Sequence, residues 1–303
     1  WYLLLRKVTI PVMSRIEIPD YLKGNIQCEP KSKQAMNVAK AAARAVLPDN
    51  LRYFIRDKLY RVPKLPLKEP RQINIAGVSA RFHIETLSDY YRILRPEYEG
   101  EFSERLVQRL SEQGDAGAFL DIGAAQGLYT VFASKLVGDV VAIDPVDSCV
   151  SQVEKNLKLN NVKAKVTLLK LAIGDEDDKT VDLHIDPRDY YAASLTDTYT
   201  SLTQRQPVPM RTIDGLIQDG TINPPTIFKM DIEGAEAMAI RGMTGLLSGN
   251  DSPTDLFIEF HPPFLKKLGA DLRETGKAIV DFGYKPKESW QRTNEFLVHF
   301  QGN

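Results

Sequence analysis

The stretch FLDIGAAQGLYTVFAS at residues 119–134, followed by VVAIDP at 140–145, decides the fold. Its first part has the pattern strand, glycine loop, helix. The second part is another apolar strand, and it ends in an acid. Asp121 and Asp144 stand 23 positions apart, about the length of one helix plus one strand. Gly123 and Gly127 open the loop: glycine carries no Cβ and accepts positive φ, so a ligand can approach the backbone closely. A helix starting near Gly127 points free N–H groups at that ligand. An acid at the tip of the next strand accepts hydrogen bonds from both hydroxyls of a ribose. Together these residues describe a nucleoside site.

The loop spacing discriminates between nucleosides. A dinucleotide fingerprint requires G-x-G-x-x-G/A. Here the loop is Gly123-Ala124-Ala125-Gln126-Gly127, and Ala125 occupies the position that must be bare for a pyrophosphate. Asp121, two residues before Gly123, would repel a pyrophosphate but suits a cationic amino-acid moiety. That combination favours S-adenosylmethionine, which carries a sulfonium and an ammonium. The residues expected to hold it are Asp121, Gly123, Ala124, Gln126 and Gly127 from the loop, Asp144 and Pro145 from the second strand tip, and Ala172 beyond the third strand. Two alternatives remain open, a nicotinamide-dependent oxidoreductase and a non-catalytic nucleoside-binding module. The intact set Asp121, Gly123, Gly127 and Asp144 argues against the second.

Downstream come LLKLAIGDEDD (168–178), VPMRTIDGLI (208–217), IFKMDIEGAEAMAIRGM (227–243) and LFIEFHPP (256–263). With DIGAAQG and AIDP, this series resembles the FkbM family of S-adenosylmethionine-dependent methyltransferases from about residue 95 to 300. The family usually has Asn where this chain has Ala125. The resemblance implies methyl transfer to a hydroxyl oxygen of a sugar, glycolipid or small natural product. Adenine and glutamine methyltransferases share a [D/N]PP[Y/F] loop just after the fourth strand. NPP at 223–225 precedes that strand and HPPF at 261–264 follows the fifth, so amino-group methylation is not expected.

Strands and helices alternate through the second half of the chain. Strands are expected at 117–122, 139–144, 165–171, 226–231 and 255–260, an extra one near 180–185, and a final pair at 284–289 and 294–300. Helices are expected at 101–114, 127–137, 147–160, 212–218, 234–247 and 271–282. Such alternation gives a mostly parallel sheet with helices on both faces. The expected fold is therefore a doubly wound α/β sheet, seven-stranded and Rossmann-like in the manner of class I methyltransferases, with an N-terminal helical and hairpin extension. Residues 1–71 read as a basic extension with helices at 34–47 and 50–60 and a Pro-rich linker at 61–71. Residues 72–115 supply a hairpin around Gly77 and a helix leading into the core, and 116–303 form the methyltransferase domain.

Ligands in open α/β sheets bind outside the carboxyl ends of the strands. Four strand tips here carry polar groups: Asp121, Asp144, Asp231 with Glu233, and Glu259 with His261. A hydroxyl acceptor gains from a positioned base. Asp231 is the first candidate for that base, with Glu259 and His261 next. Asp231 could instead cap helix 234–247, and His261, before a Pro pair, could be a turn residue. His83, His184 and His299 alternate with apolar residues and read as structural. No His, Cys and acid set has metal-ligand spacing along the chain, so no metal is expected. Residues 186–207 show little apolar periodicity and read as a lid or substrate loop, with Tyr190 and Tyr191 available to stack on a sugar.

Composition fits a folded enzyme, with 43% hydrophobic residues in 303. The two cysteines, Cys28 and Cys149, have no framework spacing and read as reduced thiols, hence a cytoplasmic protein. The opening WYLLLRKVTIPV lacks the pattern of a signal peptide, and Met13 is a candidate natural start after an upstream or vector remnant. Residues 1–71 hold 15 Lys/Arg and 6 Asp/Glu, a net of +9, so the remainder carries −10 of the total −1. The extension is a solvated surface or one that meets an anionic partner such as lipid, which would make the protein membrane-peripheral. The expected partner is a small-molecule or glycan/glycolipid acceptor. No nucleic-acid partner is expected, because no recognition motif accompanies the charge.

Overall fold

The computed structural model describes residues 19, 22, 25–28, 69–85, 89, 92–93, 100–186, 189–196, 204–291 and 295–302. The helices expected at 34–47 and 50–60, and the linker through residue 68, lie outside them.

The main sheet contains β1 (Asn25–Cys28), β4 (Ala118–Ile122), β5 (Asp139–Ile143), β6 (Lys165–Leu169), β11 (Ile227–Met230), β12 (Asp255–Phe260), β13 (Lys285–Gln291) and β14 (Phe296–Gln301). Their order is β1-β13-β14-β12-β11-β4-β5-β6. The seven strands expected from the sequence are present, and β1 adds an eighth at the edge, parallel to β13. Only β14 runs against its neighbours. Helices α1 (Gly100–Gln113), α2 (Leu128–Ala133), α3 (Asp147–Lys158), α4 (Ile213–Gln218), α5 (Glu236–Arg241), α6 (Thr244–Ser248), α7 (Pro262–Lys267) and α8 (Leu272–Asp281) surround it. The expected hairpin is β2 (Arg71–Ile75) with β3 (Val78–Phe82).

Every residue of β11 and β12 is buried, which is why these strands read as continuous apolar runs rather than alternating ones. Polar residues within them therefore need internal partners. Asp255 on β12 accepts from Arg109 of α1 at 3.0 and 2.8 Å and lies 2.7 Å from His299 Nε2 of β14. Burial opposes its charge, but His299 and Arg109 outweigh that and hold the carboxyl at about 2. This cluster fastens α1 across β12 and β14. Beside it, Phe102 of α1 meets Phe257 and Trp290 edge-on at 5.5 Å each.

Two expectations change. The single helix expected at 234–247 is broken into α5 and α6 around Gly242 and Met243. Gly242 packs so tightly on the chain that a Cβ there would lie 1.9 Å from the Gly174 carbonyl oxygen. The segment 186–207 is not simply a loop. It contributes β9 (Asp189–Ser194) and the start of β10 (Gln204–Arg211), which join β7 (Ala172–Ile173) and β8 (Lys179–Asp186) in a second sheet of order β7-β10-β8-β9. Pro207 and Pro209 hid β10 as a strand. They are tolerated because β7 reaches only Met210 and Arg211, leaving the rest of β10 an edge. The side chains of Tyr190 and Tyr191 lie outside the described residues.

Candidate active site

The chain proceeds from β4 to β5 and β6 in one direction, then places β11 on the other side of β4. A sheet that reverses its order this way leaves a crevice at the carboxyl ends of the strands. The crevice is present at those ends. Of the expected residues, Gly123, Asp144, Pro145, Ala172 and Asp231 line it, joined by Ala125. Asp121, Ala124, Gln126, Gly127, Glu259 and His261 are not on its wall.

The loop's geometry explains its composition. Gly123 has φ +82°, and a Cβ there would come within 1.9 Å of the Asp231 carbonyl oxygen. Its bareness therefore serves packing between β4 and β11 as well as access. Gly127 has φ +81° and begins α2. Ala125 has φ +49°, a left-handed conformation that side-chain residues other than Asn and Asp seldom adopt. It is held there by its N–H, which donates to Asp144 Oδ2 at 2.9 Å. Asp144 Oδ1 accepts from the Val146 N–H at 2.9 Å. Burial pushes this carboxyl up to about 6 despite those two hydrogen bonds and a third from Cys149. A carboxylate has about four lone-pair directions, so one remains for a ribose hydroxyl, and Ile143, Ala172 and Leu183 supply apolar wall for a base. The residues present thus fit an adenosyl group.

Asp121 lies behind the loop, 1% exposed. Thr130 donates to its Oδ2 at 2.6 Å, and Lys229 Nζ stands 4.0 Å from its Oδ1. Burial raises its pKa. Gln126 is buried beside α3, where its backbone carbonyl accepts from Asn156 at 2.9 Å.

At the tip of β11 the sequence reading located the acids and His261 but missed Lys229 and Arg92. Lys229, 5% exposed, donates to the Gly123 carbonyl at 3.2 Å and to Asp231 Oδ2 at 3.4 Å. His261 places Nδ1 2.8 Å from Glu236 Oε1 and turns Nε2 toward Asp231 and Glu233, 3.6 Å from each, and Glu259 at 3.9 Å. Burial works against a charged ring here, but Glu233, Glu236 and Asp231 outweigh it and raise the His261 pKa well above its usual value. The same burial opposes charge on Asp231, yet Lys229, His261 and Arg92 hold that carboxyl below the ordinary range. Asp231 does not cap a helix: α5 begins at Glu236 and has no side-chain cap. The carboxylate and imidazole atoms of Asp231, Glu233 and His261 lie within 4.8 Å of one another, as do those of Glu259, His261 and Glu295. Chain spacing did not reveal these groupings. The His261 imidazolium, with Lys229 and Arg92, supplies the positive charge that faces the acids of the first grouping.

Glu233 and Arg92, which the sequence reading did not select as site residues, also line the crevice. So does Ser194 of β9, whose hydroxyl donates to the Glu233 carbonyl at 2.7 Å and so ties the second sheet to the site. The signal for Lys229 was a lysine in an otherwise apolar central strand.

A curated relative, the hexuronic acid methyltransferase AglP of Haloferax volcanii, is 24% identical over 222 residues, covering 71% of this chain and 82% of AglP. Among solved structures, the methyltransferase FkbM of Methylobacillus flagellatus superposes with a TM-score of 0.42 at 18% identity over 61% of this chain. The match spans only 44% of that protein. A methyltransferase of Streptococcus mutans, solved in complex with SAH, gives 0.38 at 14% identity over 65% of this chain and 96% of its own. The family model of the methyltransferase FkbM domain matches residues 121–286, more than half of the chain and the whole span from β4 into β13. The chain belongs to the FkbM methyltransferase family.

Proposed function

We propose that the protein transfers the methyl group of S-adenosylmethionine to a hydroxyl oxygen of a sugar-containing acceptor. The observation that carries this reading is Asp144 on the crevice wall, fixed by Ala125, Val146 and Cys149 with a lone-pair direction left for a ribose hydroxyl. Gly123, Ala125, Asp144 and Ala172 would hold the adenosyl end, and the acids at the tip of β11 favour a cationic group beside them. The bound donor supplies an activated methyl group on a good leaving group. The protein's share is then to align the acceptor and to take its proton. Ala125 in the loop works against the nicotinamide alternative, as it did in the sequence.

An acidic sugar is the acceptor class to try first, since Arg92 brings a guanidinium to the crevice and AglP is named for a hexuronic acid. A glycolipid acceptor would also give the basic residues 1–71 an anionic surface to meet. Calorimetry with S-adenosylhomocysteine and with NAD tests the donor, and binding of NAD alone would overturn the reading. Radiolabelled methyl donor incubated with uronic acids and neutral glycosides tests the acceptor. Label transferred to an amine and to no oxygen would overturn hydroxyl methylation.

A further inference from the structure

Five carboxylates, those of Asp231, Glu233, Glu236, Glu259 and Glu295, crowd the corner at the end of β11, so nearness to that end does not identify the acid that takes the acceptor's proton. We propose that Glu233, rather than Asp231, accepts the proton of the acceptor hydroxyl; this rests on the methyl-transfer reading above.

Position narrows the choice first. Among the described residues, Asp231 and Glu233 are the acids of this corner that line the crevice, whereas Glu259 and His261 do not. His261, charged and already paired through Nδ1 with Glu236, has no lone pair to offer. Asp231 shares His261, at 3.6 Å, and Arg92 with Glu233, and adds Lys229 at 3.4 Å. A carboxylate stabilised by that further cation is the weaker proton acceptor.

Glu233 stands differently. Its side chain is as exposed as that of Asp231, 17% against 19%, and the difference lies in the backbone. Its backbone sits at φ +49°, in the left-handed region that a glutamate does not choose on its own. The surroundings enforce this conformation. Ser194 donates to the Glu233 carbonyl at 2.7 Å, and the Gly234 N–H donates to Glu236 Oε1 at 3.0 Å. Gly234, at φ +103°, leaves no room for a Cβ, which would fall 2.4 Å from that of Phe264. A strained residue clamped from both sides persists where its aim matters. The aim here is a carboxylate at the crevice wall.

The groups facing Glu233 agree. Burial pushes its pKa up, His261 and Arg92 pull it down, and Asp231 and Glu295 push it up, with a net rise to about 7. A base near neutrality suits proton transfer at physiological pH. In the step itself the acceptor O–H proton moves to Glu233 Oε while the oxygen forms a bond to the methyl carbon. The carbon–sulfur bonding pair returns to sulfur. The products are a methyl ether, a neutral thioether and a protonated carboxyl that later releases its proton to water.

Sinefungin, a donor analogue with an amine where the sulfonium methyl group would be, tests this without knowledge of the acceptor. Calorimetry at pH 8 should show the wild type binding sinefungin about tenfold more tightly than S-adenosylhomocysteine, through a charge-assisted hydrogen bond. Glu233→Gln should lose that preference while keeping its S-adenosylhomocysteine affinity within about threefold, and that retained affinity also reports a folded site. Asp231→Asn should keep the preference. A preference that survives Glu233→Gln, or disappears only in Asp231→Asn, overturns the assignment, as does a wild type that binds both ligands equally. A wild type that binds neither refutes the methyl-donor reading itself.

Discussion

Lys229 Nζ stands between Asp231 and Asp121, 3.4 Å from one carboxylate and 4.0 Å from the other, on a strand whose every residue is buried. The register makes this unavoidable. Lys229 is directly opposite Asp121 in the β11–β4 pairing, so the two side chains emerge on the same face. Lys229 thereby neutralises acids that would otherwise repel one another beneath the glycine loop.

Replacing this cation with an apolar chain of similar length should therefore be costly. Lys229→Met removes the cation facing Asp121 and one of those facing Asp231, and removing one partner of a buried pair costs about 3 kcal/mol or more. The penalty should shrink as pH falls and the carboxylates protonate. Urea unfolding at pH 7 and pH 5 measures both effects. A loss under about 1 kcal/mol at pH 7 would show that the lysine carries little of this burden.

Asp144 should make donor binding and stability depend on pH in opposite senses. Burial raises its pKa to about 6 in the folded protein, above the ordinary 3.8. The folded state therefore prefers the neutral acid, and this contribution to stability is present at low pH and lost as pH rises from about 4 to about 6. Ribose hydroxyls donate best to the ionised form. Affinity for S-adenosylhomocysteine should accordingly rise several-fold as pH passes 6, and Asp144→Ala should weaken it by about 1–3 kcal/mol. Calorimetry across pH 5–7.5 decides, and unchanged affinity in Asp144→Ala would remove Asp144 from the donor site.

Ala125 occupies left-handed backbone at φ +49°. Asparagine tolerates that region better than alanine, and the resemblance noted in the sequence has Asn at this position. Ala125→Asn should stabilise the fold by about 0.5–1 kcal/mol, read as a rise in Tm of about 1–4 °C. A fall in Tm would mean that packing at the crevice wall outweighs the relief of backbone strain.

His261 should remain an imidazolium through neutrality. Its raised pKa contributes stability that is fully present below the unfolded value near 6.5 and is lost only as pH climbs through the higher folded value. Ring nitrogen shifts by NMR should be flat from about pH 6 to 7.5, and a midpoint near 6.5 would contradict the ion cluster. Because the ring supplies the positive charge, EDTA and magnesium should leave Tm unchanged. A Tm lowered by EDTA and restored by magnesium would place an ion among Asp231, Glu233 and His261.

How much was legible in the sequence follows from the range of the forces involved. The glycine loop, the core strands and the acids at the tips of β4, β5, β11 and β12 could be read because φ preference, apolar runs and turn residues are local properties. The sheet order, with β11 beside β4, was not read from the sequence, because it is set by pairing between strands far apart along the chain. The second sheet was hidden, because the prolines of β10 mask its strand character and its pairing is with distant residues. The distinction among the acids was hidden for the same reason. Asp231 and Glu233 are two positions apart and chemically alike, yet Lys229 and His261 hold Asp231 ionised, while burial and neighbouring carboxylates raise Glu233 to about 7. The sequence by itself picked out Gly123, Asp144, Pro145, Ala172 and Asp231, but not Arg92, Ser194 or Glu233, among the residues that line the crevice. Only the tertiary structure decided the charge each carries there, because desolvation and Coulomb interactions depend on distance in space and not on separation along the chain.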